Sequence, residues 1–301
     1  MPASGISRSQ LARSSTSRPL ACAATLLAEL QALVPATLRT SDGWGRVQLV
    51  DSTFLTRSAQ LAPWSRHGEH APGLRVHTGL TLGADGAWIP DHLHFTLADT
   101  HDLRAFRARD WSAWQGWTIV MDRGYYAHQA FAELRAAGVA WLCPAQPQAH
   151  VVVTAAACGP FPSAPTGEPI LADDTITLGS PNNRSGTVLA DVRRITSQTR
   201  TGEVQQLITD RHDLSAGEVV ALYHQRWQIE LFFRWLKHQL GVLHPLGTSR
   251  QAVELTLLLA AIAAVLLVLL TTARPPNLTD IAWVRQLGTT LFLTILLADS
   301  S

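Results

Sequence analysis

The sequence contains little charge, few cysteines and almost no lysine. Charged residues make up 16% of the 301 residues and the formal net charge is +1, so the chain as a whole lacks the basic field that attracts polyanions. The three cysteines (Cys22, Cys143 and Cys158) are odd in number and widely spaced. This spacing excludes a disulfide framework and a paired-cysteine zinc site, and it favours a reducing, cytoplasmic location. The only lysine among the 24 basic residues is Lys237.

Long hydrophobic runs are also scarce, with one exception near the C-terminus. The run Leu255–Thr272 has no charged residue and approaches the ~20 residues of a membrane-spanning helix. A buried core helix is the alternative, and we expect no membrane association. At the N-terminus, an Arg- and Ser-rich stretch precedes an apolar one, as in targeting signals. A loose tail followed by a short helix near Pro19–Val34 is the interpretation that we favour.

The pattern of apolar residues predicts an α/β fold. Hydrophobic residues make up 47% of the chain, which is enough for the core of one large domain or two small ones. Strands are predicted at 45–55, 73–82, 87–97, 116–125 and 139–145, and helices at 101–111 and 127–138. This order of elements predicts a mixed sheet flanked by helices.

The composition changes after this first region and divides the chain. From 146 to about 210 the sequence is rich in Pro, Gly, Ser, Thr and Val, with strand-like runs, and we interpret it as a β-rich insertion. The predicted organisation is an N-terminal tail with a short helix (1–44), the first part of the core (45–145), the β-strand insertion (146–210), two helices (211–273) and a C-terminal segment (274–301).

A helix predicted from Tyr223 to Gly241 carries a row of polar side chains. At about 100° per residue, four side chains fall within a stripe roughly 60° wide beside an apolar face: Tyr223, Arg226, Glu230 and Lys237. Ser215 and Glu218 have the spacing of a capping box at the start of this helical region. An Arg–Glu pair four residues apart also fits a surface salt bridge worth roughly 0.3–0.5 kcal/mol, so the helix alone leaves both interpretations open.

Two further acids each follow an apolar, strand-like run. Asp51 comes after VQLV and Asp122 after TIVM, which places both at the mouth of a sheet, where open α/β folds build their sites. With Glu230 they form a set of carboxylates of the kind that binds Mg²⁺ together with substrate phosphate. Two such ions about 3.5–4 Å apart can stabilise both oxygens of a phosphoryl transfer. The rest of the stripe supplies two cations and a phenol for phosphates or bases: Arg226, Lys237 and Tyr223.

These residues resemble a known family. The pattern Tyr223-x2-Arg226-x3-Glu230-x6-Lys237 is similar to the Y-x2-R-x3-E-x6-K signature of the DDE transposases of the bacterial insertion-sequence-four family. DST at 51–53 resembles the first-acid motif of that family, DRGY at 122–125 resembles the second, and RVH at 75–77 also fits. The resemblance extends from about Gly45 to Thr272.

The resemblance implies a fold and a reaction. The fold is a ribonuclease-H-like core, with a β-strand insertion between the second Asp and the Glu, before the last catalytic helix. The reaction is cut-and-paste transposition: hydrolytic nicking at transposon ends, hairpin formation, hairpin opening and strand transfer. Asp51, Asp122 and Glu230 would be the catalytic residues and the ligands of two Mg²⁺ ions, for which Mn²⁺ can substitute. The partners would be double-stranded DNA, as inverted-repeat ends and target, and a second copy in a homodimeric synaptic complex.

Several further residues have two possible roles under this assignment. Trp227 would stack on a base or pack in the core, and Arg123 would bind phosphate or pair with an acid. Asp99 or Asp102 would approach the metal site or cap a helix. Two arginine clusters would supply a basic patch or be solvated: Arg104/Arg107/Arg109 and Arg193/Arg194/Arg200. The stretch before Asp51 is short for a DNA-end-binding region, which suggests N-terminal truncation. The alternatives are an inactive DNA-binding remnant, another ribonuclease-H-like nuclease and a small membrane protein.

Overall fold

A computed structural model describes residues 17–41, 43–56, 64, 73–83, 88–97, 99–182, 186–238 and 247–273. In these ranges the chain forms a mixed sheet with the strand order β3-β2-β1-β4-β5-β9-β8-β7-β6 and with helices packed on both faces. The predicted mixed α/β architecture is thereby confirmed. The strands are β1 Arg46–Thr56, β2 Gly73–Leu82, β3 Trp88–Leu97, β4 Trp117–Met121, β5 Ala140–Pro144, β6 Val151–Ala156, β7 Ile170–Leu178, β8 Leu189–Gln198 and β9 Val204–Thr209.

The pairing directions divide the sheet into three parts. Strands β1, β2 and β3 are antiparallel neighbours, whereas β1, β4 and β5 run parallel. Strands β5, β9, β8, β7 and β6 are again antiparallel. The predicted β-rich region therefore continues the same hydrogen-bonded sheet. The turn predicted between β2 and β3 falls largely on residues outside the described ranges.

The helices of the described ranges cover the two faces of the sheet. Side chains alternate between the faces along each strand, so Val47 and Leu49 pack against Phe232 on one face, while Val50 and Ile119 on neighbouring strands pack against Phe131 on the other. Strand β4 is buried along its whole length, as expected for a parallel strand with both faces covered. The helices are α1 Ser17–Leu33, α2 Asp102–Arg107, α3 His128–Ala136, α4 Ala216–His224, α5 Trp227–His238 and α6 Arg250–Thr272.

The single helix predicted from Tyr223 to Gly241 is wrong at one point. Helix α4 ends at His224 and α5 begins at Trp227. Between them the backbone tightens into hydrogen bonds spanning three residues, from Gln225 N to Leu222 O (3.1 Å) and from Arg226 N to Tyr223 O (3.0 Å), the pattern of a 3₁₀ turn. The predicted capping box of Ser215 and Glu218 is present. Residues 239–246, which include the predicted C-terminal end, lie outside the described part of the chain.

Helices α1 and α6 pack together near β3. Helix α1 confirms the short helix predicted near Pro19–Val34. By length and composition α6 could cross a membrane, and half of its most apolar window is buried against the rest of the protein. A core helix of a soluble protein has the same properties, so the expected lack of membrane association stays a prediction. Residues 1–16 and 274–301 lie outside the described ranges, and the predicted domain boundaries also stay predictions.

Candidate active site at the carboxyl end of the parallel strands

The parallel pairing of β1 and β4 brings the two predicted aspartates side by side. Val50 and Met121 are partners in the register of this pair. Asp51 lies inside β1, which continues to Thr56, and Asp122 directly follows β4. The two residues are therefore neighbours at the point where β4 ends, on strands about 4.8 Å apart, and the parallel pairing places both carboxylates. The prediction that Asp51 follows the end of its strand is wrong.

Asp51 is largely buried, with a side-chain exposure of 18%. Its Oδ1 accepts a hydrogen bond from the backbone N of Ser52 at 2.7 Å. Burial, aided by the negative charge of Asp122, raises the pKa of the Asp51 carboxyl to about 7, although the hydrogen bond from the Ser52 amide opposes the rise. A buried carboxylate beside a second one is a site that a bound cation would stabilise.

Asp122 caps the short 3₁₀ turn of the DRGY motif. Its Oδ1 accepts a hydrogen bond from the backbone N of Gly124 at 2.8 Å. A Cβ at Gly124 would lie 3.0 Å from that same oxygen, which is a tight contact, so a side chain at this position would press on the carboxylate. The motif thus fixes the orientation of Asp122 through local backbone geometry.

Arg226 links the third acid to this pair. Its Nη2 donates to Glu230 Oε1 at 2.7 Å, and its Nη1 lies 3.8 Å from Asp51 Oδ2. All three predicted acids are therefore brought to one region, on the face of the sheet that α4 and α5 cover. Within the described ranges, however, no three His, Cys, Asp or Glu side chains are grouped closely enough to hold a metal ion. In this arrangement the Glu230 carboxylate is bound by Arg226.

Tyr223 lies beside Arg226 at the helix break, and Lys237 lies farther along α5. The Arg226 guanidinium carbon is 5.9 Å from the centre of the Tyr223 ring. Burial raises the pKa of Tyr223 and lowers that of Lys237. Burial opposes the charge of Arg226, but the Glu230 hydrogen bond and the negative charges around the guanidinium together outweigh burial, and the pKa of Arg226 is raised. Since Lys237 follows Glu230 by seven residues on α5, the two lie on one side of that helix.

A cavity of about 290 Å³ opens beside the helix break, between α4, α5 and loops of the β-rich region. Tyr223, Arg226 and Trp227 line it on the helical side, and Trp227 is half exposed. The predicted core packing of Trp227 is therefore wrong, and its stacking on a base stays a prediction. Arg123 is exposed on the DRGY turn.

Two residues of the cavity wall that were not predicted pair with each other. The buried Glu168, from the β-rich region, accepts a hydrogen bond from Thr166 and meets Nε2 of His224 at 2.5 Å. His224 is the last residue of α4, next to the break. No local sequence signal marks this pair, because its members are 56 positions apart.

Most of the predicted arginine clusters are engaged internally. Arg107 pairs with Glu133, Arg193 with Asp173 and Arg194 with Asp174. Arg109 packs on Trp111 and Trp114, and donates to Gln48. The interpretation as solvated arginines is wrong for Arg109, Arg193 and Arg194, which are partly buried, whereas Arg107 is exposed. Arg104 is exposed, and Arg200 donates to the carbonyl of Thr166.

Comparison with known families decides what this arrangement belongs to. The family described as "Transposase DDE domain" matches residues 45–266, a range that contains all three acids. The chain belongs to the DDE transposase family. This transposase is 28% identical over 261 residues to the transposase candidate y4zB of Sinorhizobium fredii, covering 85% of this chain and 69% of that protein.

Two further comparisons cover smaller shares of the proteins concerned. A transposase candidate for insertion sequence element IS5377 of Geobacillus stearothermophilus is 34% identical over 102 residues, covering 34% of this chain and 26% of that protein. A piggyBac transposase synaptic complex with hairpin DNA aligns with a TM-score of 0.46 and 8% identity, over 82% of this chain and 52% of that one. A likeness this weak supports no argument about function.

Proposed function

We propose that this DDE transposase catalyses cut-and-paste transposition of DNA and belongs to the insertion-sequence-four group. The observation that carries the proposal is that Asp51 and Asp122 lie on neighbouring parallel strands, while Arg226 pairs with Glu230 and lies 3.8 Å from Asp51. The strand order, in which three antiparallel strands lead into two parallel ones, supports a ribonuclease-H-like core.

The three acids have the right chemistry for divalent metal ions. Mg²⁺ takes oxygen ligands and is commonly held by one or two carboxylates plus substrate phosphates. Asp51 and Asp122 are adjacent, and the burial that raises the pKa of Asp51 would be offset by a bound cation. Asp51, Asp122 and Glu230 would hold two Mg²⁺ ions, with Mn²⁺ as a substitute, and Glu230 would exchange Arg226 for metal. Such ions would stabilise the attacking and leaving oxygens of the phosphoryl transfer.

The remaining residues of the site would bind the substrate backbone. Arg226, once separated from Glu230, presents a planar guanidinium suited to bidentate contact with phosphate. Lys237 lies farther along the chain, on α5, as a second cation, and Tyr223 offers a hydroxyl. Trp227, half exposed at the cavity, would stack on a base, and Arg123 would contact a phosphate beside Asp122. The proposed partners are transposon-end and target DNA and a second copy of the chain, in the bacterial cytoplasm.

The proposal is tested with labelled oligonucleotides that carry the inverted repeats flanking the gene. In Mg²⁺ the protein is expected to nick the repeat end and then to join the released 3′-OH to a second duplex. Nicking without joining would favour another ribonuclease-H-like nuclease. Binding without nicking in Mg²⁺ or Mn²⁺ would favour an inactive remnant.

Arg226→Gln is expected to increase the affinity for Mn²⁺ in the absence of DNA. The guanidinium occupies Glu230 and lies near Asp51, so it competes with a metal ion. Its removal should lower the Mn²⁺ dissociation constant by about 3- to 10-fold, the effect of roughly 1 kcal/mol of charge repulsion. DNA nicking should nevertheless fall, because a phosphate contact is lost. Calorimetric titration with Mn²⁺ measures the first effect.

Arg250→Gln is the matched control, since Arg250 and Glu254 form an equivalent pair four residues apart on α6, also at 2.7 Å. Unchanged Mn²⁺ affinity in Arg226→Gln would contradict competition between the guanidinium and the metal ion.

A further inference from the structure

A partly buried polar network lies on the face of the sheet opposite the predicted catalytic acids. In an antiparallel pair, residues directly opposite each other point to the same face, and Ser52 is opposite His77 while Arg75 is opposite Thr96. Asp51 alternates with Ser52 along β1, so Asp51 points to the other face. The RVH motif therefore lies behind the active site rather than within it.

Asp102, the first residue of α2, is the acid at the centre of this network. Both of its carboxylate oxygens accept hydrogen bonds from Arg75 Nη1, at 3.1 and 3.0 Å. Its Oδ1 is also 3.4 Å from His77 Nδ1, and His77 Nε2 is 2.8 Å from Thr96 Oγ1. One carboxylate thereby ties the start of α2 to strands β2 and β3.

Ser52 connects this network to Asp51. Arg75 Nη1 lies 3.4 Å from Ser52 Oγ, and the backbone N of Ser52 donates to Asp51 Oδ1 at 2.7 Å. Asp102, Arg75, Ser52 and Asp51 thus form a continuous chain of contacts through the sheet. We propose that Asp102 is a positioning residue, which fixes the Asp51 carboxylate for metal binding from the opposite face through Arg75 and Ser52. The inference rests on the proposed function.

The charges of the network support this role. Burial lowers the pKa of His77 to about 4, so its ring is neutral at neutral pH and Arg75 is the cation paired with Asp102. Without Asp102, the Arg75 guanidinium would be left uncompensated beside Ser52, where it would repel a cation bound by Asp51.

Asp102→Asn is the variant that tests the proposal, because it keeps the shape of the side chain and removes its charge. The Mn²⁺ dissociation constant should rise about 10-fold, and kcat for nicking should fall by about the same factor, as partners of metal ligands typically contribute 10- to 100-fold. KM for DNA should not change. Asp102→Glu, which keeps a carboxylate for Arg75, should recover most of the loss.

Glu133→Gln is the matched control. It removes another Arg–carboxylate contact of α2, the pair of Arg107 and Glu133, on the side facing α3. This variant is expected to bind Mn²⁺ as the parent does. An equal loss in both variants would overturn the positioning role, and so would an Asp102→Asn protein whose Mn²⁺ dissociation constant is within about twofold of the parent's.

If Asp102→Asn does not fold, Ser52→Ala provides the test. The expected loss of Mn²⁺ affinity is about threefold, and parent-like affinity would overturn the proposal.

Parallel titration of Asp51→Asn separates the two levels of inference. Loss of Mn²⁺ binding in Asp51→Asn, together with parent-like binding in Asp102→Asn, would refute only the role of Asp102. Parent-like binding in Asp51→Asn would place the metal elsewhere and refute the proposed function.

Discussion

Glu230→Ala is expected to abolish metal-dependent strand cleavage while leaving the fold intact. Removing a carboxylate that holds a catalytic metal ion should lower the nicking rate by about 10³-fold or more. Stability should change little, because Glu230 is one-third exposed and its pairing with Arg226 is of a kind worth roughly 0–1 kcal/mol. Single-turnover nicking of a labelled transposon end in Mg²⁺ measures the first effect, and urea unfolding measures the second.

Glu254→Ala provides a demanding control for that experiment. Glu254 pairs with Arg250 over the same spacing and distance, on α6, and is more buried than Glu230. Its loss should therefore cost at least as much stability, yet nicking by the folded protein should be preserved. A Glu230→Ala protein that still nicks end DNA in Mg²⁺ would contradict the assignment of Glu230 as a metal ligand.

Asp51→Asn is expected to be more stable than the parent at pH 8 when metal is removed with EDTA. In the folded protein the pKa of Asp51 is raised from 3.8 to about 7, so the folded state keeps a proton that the unfolded state loses. The parent's stability should therefore fall as pH rises from about 4 to 7, by about 1.4 kcal/mol per unit of pKa difference. The asparagine variant has no such charge to bury and should keep its stability across this window.

Urea unfolding at pH 4 and pH 8 in EDTA tests this sign. The free energies of unfolding of the parent and Asp51→Asn should be similar at pH 4, and at pH 8 that of Asp51→Asn should be higher. Asp110→Asn is a control of opposite sign, because the pKa of the exposed Asp110 is lowered by its hydrogen bonds to Ser112. A parent that is as stable as Asp51→Asn at pH 8 would show that the Asp51 carboxylate is not penalised by burial.

The strands that carry the two aspartates could be predicted from the sequence because they depend on local patterns. The apolar runs VQLV and TIVM mark β1 and β4, and an acid directly follows each run. The parallel pairing of β1 with β4 could not be predicted in this way, because β2, β3 and α2 lie between the two strands in sequence. The capping box at Ser215 is similarly local, since it needs only two residues at the right spacing.

The break between α4 and α5 could not be predicted, because no proline or glycine marks it. The residues at the break are Gln225 and Arg226, which are compatible with a helix. Contacts distant in sequence accompany the break, including the bond between His224 and the buried Glu168 and the approach of Arg226 to Asp51. Tyr223 and Glu230 nevertheless both contact Arg226 across the turn, and the roles predicted for the polar stripe stay predictions.

The ion-pair partners of the arginines also could not be predicted from the sequence. The partners of Arg193 and Arg194 lie 20 positions away on the neighbouring strand β7, and this pairing depends on the register of β7 and β8. Strand register is specified by the apolar pattern only to a choice of face. Asp102 and Arg75 are 27 positions apart, and their pairing depends on how the start of α2 packs against β2.

The most direct measurement is anomalous diffraction from crystals grown with Mn²⁺. We expect manganese bound to carboxylate oxygens of Asp51, Asp122 and Glu230, with Arg226 displaced from Glu230. Manganese bound elsewhere, with Arg226 still between Asp51 and Glu230 at saturating metal, would contradict a catalytic metal site at these three acids.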